Sequence, residues 1–305
     1  MICIKNSKII FLLLAIICIN FIFSVPELRS NSLKPQVFVV NYPLQYFTER
    51  IATDTVDVIF PAPRNEDPAY WVPSREIIKK YQNADLILIN GADYAKWLNF
   101  VSLPESIIVN TSNSFMDSYI KIKASATHSH GPDGEHAHTD YAFTTWIDPI
   151  LAIEQAETIK NALEKLMPEY KNNFQDNFDN LKTNLLEIDR QLSAIFELDS
   201  EKPLLASHPV YQYLGARYNL NIVSLHLEPG ELPDSKQISV FENLLNNEKY
   251  RWILWEATPL KVSVNLLKNS GVSSIVFDPS ANRPENGDYL SVMKLNISNI
   301  RTAYQ

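Results

Sequence analysis

Cysteine is nearly missing from this chain of 305 residues: Cys3 and Cys18 are the two it has, and both fall within the first 24 positions. Beyond that segment neither a disulfide framework nor a thiolate metal site is possible, so a transition-metal site must use imidazole and carboxylate. Glycine is scarce, at 7 residues, and no flexible linker divides the chain. No phosphate loop, no Gly-x-Ser-x-Gly and no His-Glu-x-x-His occurs, which removes the usual signatures of nucleotide, serine-hydrolase and zinc-protease chemistry. Basic residues are outnumbered 27 to 35, for a net charge of −8. Neutralising phosphates needs a basic face, so no nucleic-acid partner is expected.

What is present begins with a leader. Lys5 and Lys8 precede an apolar run from Ile9 to Phe23, interrupted by Asn20 and followed by Ser24 to Pro26. This is the layout of a secretory signal peptide over residues 1–24, and the run is short for a bilayer span. Ile16 and Ile17 stand before Cys18 where a lipidation site would have small residues, so export to the periplasm without an anchor is the expectation. Cleavage would leave 25 basic against 35 acidic residues, a net charge of −10.

The remainder, with 46% hydrophobic residues overall, has ample material for a core. Apolar segments of strand length occur at 35–41, 56–63, 84–91 and 106–112, and again at 203–207, 221–226, 251–257 and 273–279. Helical patterns alternate with them, and Ser74 sits at an N-cap. Alternation of this kind predicts an α/β fold with parallel sheets. Between the two series, Tyr170, Phe174, Phe178, Leu181, Leu185, Ile188, Leu192 and Ile195 step by three or four, giving one apolar stripe on a long helix opened by Pro168. The expected organisation is an N-terminal lobe over 32–165, a linking helix over 166–198 and a C-terminal lobe over 199–305. A continuous helix has no soft hinge, so little lobe motion is expected.

Histidine is scarce too, at 6 residues, yet four of them lie in "ATHSHGPDGEHAHTD", inside a loop read over 124–142. In extended backbone, residues two apart point to the same side, so His128 and His130 can face one centre, as can His136 and His138. Pro132-Asp133-Gly134 is turn chemistry that would fold one pair toward the other. Four imidazoles could then approach one cation; zinc suits them, and copper and nickel accept imidazole as well. Asp133 and Glu135 add carboxylates nearby. Elsewhere, His208, Glu256 and Asp278 each end a predicted strand, and ligands in α/β sheets collect at the carboxyl ends of strands. His226 and Glu228 form another strand-end pair, open between site and surface.

The segments "SHPVYQYLGARYNL", "GVSSIVFDP", "EDPAYWVPS" and "FTTWIDP", with the His-rich loop and the long helix, resemble the zinc/manganese-binding solute receptors of bacterial ABC importers. The resemblance spans the whole chain after the leader. It implies two lobes around a metal cleft, a divalent cation as cargo (zinc first, with Mn(2+) or another divalent ion open), a membrane permease as partner, and a monomer with no enzymatic activity. It also implies three cleft histidines and one carboxylate. Carried over, His208 and Asp278 are present, but Ala69 and Thr144 stand at the two first-lobe histidine positions. The expectation is that His128, His130, His136 and His138 either complete the shell begun by His208 and Asp278 or form a separate capture site, with Glu66, Asp67 and Glu256 as reserve oxygen donors. Two other readings stay open. Tyr70, Trp71, Trp146 and Tyr211 would suit an organic or chelated-metal ligand, unless they pack the lobes together. A zinc hydrolase would need three firm ligands and a base such as Glu256 or Glu228.

Overall fold

Two four-stranded sheets of one design organise the chain. The computed structural model describes residues 34–122, 128–129, 135–136, 141–199, 201–247 and 249–305. The leader lies outside them, as do His130, His138, Asp133 and the side chains of His128, Glu135 and His136.

In the first lobe, β1 (Gln36–Val39), β2 (Asp57–Ile59), β3 (Leu86–Ile89) and β4 (Ile108–Asn110) pair in parallel in the order β2-β1-β3-β4. Val37, Phe38 and Val39 are all buried, the continuous apolar run of a strand covered on both faces. α1 (Tyr42–Ala52) starts where Asn41 accepts from the Leu44 N–H, with Pro43 in its first turn. α2 (Arg75–Gln82) is capped by Ser74, as its sequence predicts.

The segment expected to be a loop holds more than a loop. Ahead of it Asn113–Ser118 is a 3₁₀ turn, and Lys121 bridges Tyr141 antiparallel across its base. Two short strands, β5 (His128–Ser129) and β6 (Glu135–His136), pair antiparallel and set His128 opposite His136.

α3 (Pro149–Leu166), capped by Asp148, leads through a 3₁₀ turn at Pro168–Tyr170 into α4 (Lys171–Phe196). The buried stripe of α4 runs from Phe174 to Ile195. Tyr170 lies before the helix and is 37% exposed, so the stripe opens one turn later than its spacing suggests. α4 packs on α1 and α3.

The second lobe repeats the first. Its strands β7 (Leu204–Ala206), β8 (Ile222–Ser224), β9 (Trp252–Trp255) and β10 (Ser273–Val276) run β8-β7-β9-β10, all parallel. In both sheets the second strand flanks the first on one side and the third flanks it on the other. The two faces of β7 feed different clusters: Leu204 and Ala206 join the main core, whereas Leu205 joins a smaller one with Phe241, Ile253 and Trp255. Helices α5 (Gln212–Tyr218), α6 (Ser235–Asn247) and α7 (Lys261–Asn269) connect the strands, and α8 (Tyr289–Tyr304) closes the chain against α4. Asp288 and Ser291 form a capping box at its start.

Both lobes fall in one compact unit, Pro35–Gln305, and hydrogen bonds stitch them. Trp146 Nε1 donates to the Pro279 carbonyl at 2.7 Å and Tyr289 Oη to the Trp146 carbonyl at 2.9 Å. Asn282 Nδ2 reaches the carbonyls of Pro63 and Glu66 at 2.6 and 2.8 Å. Trp146 and Tyr211 are fully buried, and Tyr211 donates to the Phe277 carbonyl. These rings therefore pack structure and do not line the cleft. Among the described residues no helix is long and apolar enough to cross a membrane.

Candidate metal site

In the second sheet β7 and β9 are neighbours whose chains leave toward opposite edges, the switch point where α/β sheets gather ligands. Backbone bonds prolong the ladder past the strands. Ser207 N donates to the Leu254 carbonyl at 2.8 Å, Phe277 N to the Trp255 carbonyl at 2.8 Å and Leu227 N to the Ser207 carbonyl at 2.9 Å. These bonds fix the positions of His208, Glu228 and Glu256, each one or a few residues beyond a strand.

Their side chains converge. His208 Nε2 lies 3.0 Å from Glu228 Oε1 and His208 Nδ1 lies 3.2 Å from Glu256 Oε1. The three can each offer a donor atom with all three atoms within 4.8 Å of one another, the geometry of a metal-holding group. The imidazole side chain is 12% exposed, against 33% and 26% for the two carboxylates. Burial alone would lower the His208 pKa, but hydrogen bonds and charge from Glu228 and Glu256 push it up to about 10. The imidazole is thus a cation held between two anions.

A cavity of about 360 Å³ opens on this trio. Asp278 lines it too, although it is not one of the close group. Asp278 Oδ1 accepts from Ser280 N at 2.6 Å, and Asn296 clasps its backbone from both sides. Burial raises the Asp278 pKa, the Ser280 bond opposes that, and the charge of Glu256 adds to it. The first lobe contributes Asp67, Tyr70, Tyr94, Phe143 and Thr144 to the walls. Burial, then Asp67 and Glu256, push the Tyr70 phenol up to about 12.

The residues singled out by sequence divide as follows. His208 and Glu256 meet; Asp278 and Asp67 share their cavity; Glu66 is exposed and does not line it. Ala69 is fully buried, with its N–H on Asp67 Oδ1 at 2.9 Å. Thr144 offers its hydroxyl to the Val210 carbonyl at 2.6 Å. Trp71, Trp146 and Tyr211 are absent from the lining, and Tyr70 alone of that aromatic set is on it. Glu228, left open between site and surface by position, joins the close group; its signal was a strand-end carboxylate two residues after His226, whose ring stands edge-on 6.1 Å from that of His208. Tyr94 had no sequence signal. Of the loop histidines, only the backbone pairing of His128 with His136 is described.

The family model for ZnuA, the periplasmic zinc-uptake complex component A, matches residues 37–303. The zinc-binding protein AdcA of Streptococcus pyogenes serotype M3 is 26% identical over 316 residues, covering 97% of this chain and 61% of its own length. The chain therefore spans less than two thirds of the streptococcal relatives it matches. The high-affinity zinc uptake system protein ZnuA of Bacillus subtilis is 23% identical, with 88% of this chain and 87% of that protein covered. Among solved structures, Zn(II)-bound AdcA from Streptococcus pneumoniae superposes with a TM-score of 0.76 at 20% identity, over 89% of this chain and 58% of the other. The metal-dependent lipoprotein YcdH from B. subtilis gives 0.75 at 20% identity, over 88% and 98%. At that identity the likeness is one of fold.

Proposed function

The chain belongs to the family of the zinc-uptake complex component A, and on that footing we propose that it is the extracytoplasmic receptor of an ABC importer. It captures a divalent transition metal, zinc first, and hands it to a membrane permease. The family is one of binding proteins, which sets the hydrolase reading aside. A single observation carries the proposal: His208 sits between Glu228 and Glu256 at the switch point of the second sheet.

The donor chemistry fits the cargo. Zinc takes imidazole nitrogen and carboxylate oxygen at about 2.0–2.2 Å. In the metal-free protein His208 carries the positive charge that keeps two glutamates together. An arriving ion displaces a proton from that ring and inherits both carboxylates, with Asp278 across the cavity as the fourth donor. Binding is therefore an exchange of cations at constant scaffold geometry. Because the lobes are already joined at Thr144, Trp146 and Asn282, capture and release are carried by side chains rather than by lobe closure.

Ala69 and Thr144 cannot replace the first-lobe imidazoles the family resemblance implies. The loop histidines, His128, His130, His136 and His138, supply nitrogen outside the trio. As an entry station they bind the ion first and pass it inward, since a loop that must order itself binds weakly and releases readily. Some relatives are named lipoproteins, so Cys18 is the residue that would retain the chain at a membrane, and the mass of the exported protein distinguishes lipidation from free release.

Calorimetric titration of metal-free protein with zinc tests the reading. It predicts saturable zinc binding that His208→Ala removes from the cavity; protein that takes up no zinc, manganese or other divalent transition ion at neutral pH would refute it.

A further inference from the structure

Exposed apolar side chains that occur singly on a surface need no explanation. Five in this chain are grouped. Val72 is 75% exposed in the segment after β2, and Phe100 is 87% exposed at the end of the 3₁₀ helix Lys96–Phe100 after β3. Lys96 N donates to the Ala69 carbonyl at 3.1 Å, so the two segments are joined. In the second lobe Leu232 is exposed after β8, and Leu260 and Val262 are exposed after β9. These segments are joined as well, by Leu260 N on the Pro229 carbonyl at 2.9 Å and by Ser263 Oγ on the Glu231 carbonyl at 3.3 Å.

The two sets are equivalent. In the strand orders β2-β1-β3-β4 and β8-β7-β9-β10, β8 holds the place of β2 and β9 that of β3. Val72 thus corresponds to Leu232, and Phe100 to Leu260 and Val262. Both sheets are parallel, so each set leaves its sheet by the carboxyl end. The same four segments wall the cavity, through Asp67, Tyr70, Tyr94, Glu228 and Glu256. Leu232 and Leu260 each stand four residues beyond a glutamate that flanks His208. The exposed apolar groups are therefore carried by the segments that hold the ion's donors, once on each lobe.

Charge selects what covers them. Glu66, Asp67, Asp93, Glu231 and Asp234 are exposed in these segments, against Arg64 and Lys261. A second copy of this chain would set acids against acids. An anionic lipid surface would repel them too. The complementary partner is a protein surface with an apolar centre and a lysine or arginine edge. Equivalent elements on both lobes fit a partner that offers such a surface twice.

Resting on the receptor reading above, we propose that Val72, Phe100, Leu232, Leu260 and Val262 form the docking surface for the permease, a partner of two like halves. One half covers Val72 and Phe100; the other covers Leu232, Leu260 and Val262. Docking takes hold of the segments that carry Glu228 and Glu256.

The test uses the full chain with the importer's permease and ATPase reconstituted in proteoliposomes. It reads zinc-dependent stimulation of ATP hydrolysis against receptor concentration. One variant combines Val72→Ser with Phe100→Ser; the other combines Leu232→Ser, Leu260→Ser and Val262→Ser. All five side chains are exposed, so both variants should fold and bind zinc as the wild-type chain does. Each should raise the receptor concentration for half-stimulation by about tenfold or more. Either variant stimulating as well as wild type overturns the proposal. So does a wild-type dimer, or adhesion to protein-free phospholipid vesicles, that the substitutions abolish. A wild-type chain that binds no zinc, or binds it and never stimulates the importer, would instead overturn the receptor reading beneath.

Discussion

Thr144 donates its hydroxyl to the backbone carbonyl of Val210 across a 2.6 Å hydrogen bond, joining the first lobe to the second. The family resemblance expects a histidine at position 144. Here the position has become a strut in place of a ligand. Thr144→Ala should therefore cost about 1 kcal/mol and lower the melting temperature by roughly 2–4 °C, with zinc affinity unchanged. A thermal melt and a zinc titration on the same sample check this; a large loss of zinc affinity would make Thr144 a ligand after all.

A second prediction concerns pH. The His208 pKa stands at about 10 because its two glutamate partners outweigh burial. Zinc must displace a proton from that ring, so affinity should rise by about tenfold per pH unit up to pH 9, releasing about one proton per ion. An ordinary imidazole, with a pKa near 6.5, would plateau above pH 7. Calorimetry in buffers of different ionisation enthalpy counts the protons, and a flat affinity between pH 7 and 9 would contradict the bridge. The stability of the metal-free protein has its own sign. A pKa raised in the fold contributes stability that is fully present below about 6.5 and is lost as pH rises through about 10. Zinc-loaded protein should lack that alkaline loss.

Third, the proposed entry station has the four loop histidines acting before the cavity does. Replacing His128, His130, His136 and His138 together with alanine should reduce the number of zinc ions bound per chain and slow uptake at low zinc, leaving the tight step in place. Stopped-flow uptake and equilibrium stoichiometry measure both. Unchanged stoichiometry, affinity and rate would remove the loop from the account.

Gly91 provides a stability prediction. Its φ is +76°, and a Cβ there would collide with Ser112 Oγ, Asn110 Oδ1 and Tyr119 Oη. Gly91→Ala should destabilise by about 1–3 kcal/mol and displace the turn that presents Tyr94. Chemical denaturation reads the first effect. A neutral substitution would show that the turn is not under strain.

How much of this was legible in the residues themselves differs from part to part. Both sheets were, because strands such as 36–39 and 252–255 are short, apolar and punctuated by capped helices. The pseudo-repeat was not, since strand order is set by contacts between segments far apart in the chain. His208 and Glu256 stood out as strand-end groups. Asp278 did too, but a strand end names the crevice without saying which carboxylates touch. Glu228 reaches the imidazole by way of an irregular segment after β8, held by the bond from Leu227 N to the Ser207 carbonyl, and no periodicity describes such a segment. Tyr94 looked like one aromatic among many; only the fold reveals a phenol oxygen buried without a hydrogen-bond partner among the described residues. The loop histidines were conspicuous by composition, and composition says nothing of where their rings point.

The central claim is that two glutamates facing His208 hold the ion. The measurement closest to it is a calorimetric zinc titration of the Glu228→Gln, Glu256→Gln double variant, which keeps both His208 and Asp278. If the trio is the site, affinity falls by about a hundredfold or more, equivalent to roughly 3 kcal/mol, while the fold persists by circular dichroism. Zinc bound as tightly as by the wild-type chain would mean that His208 and Asp278 work without the glutamates, and the site would have to be drawn elsewhere.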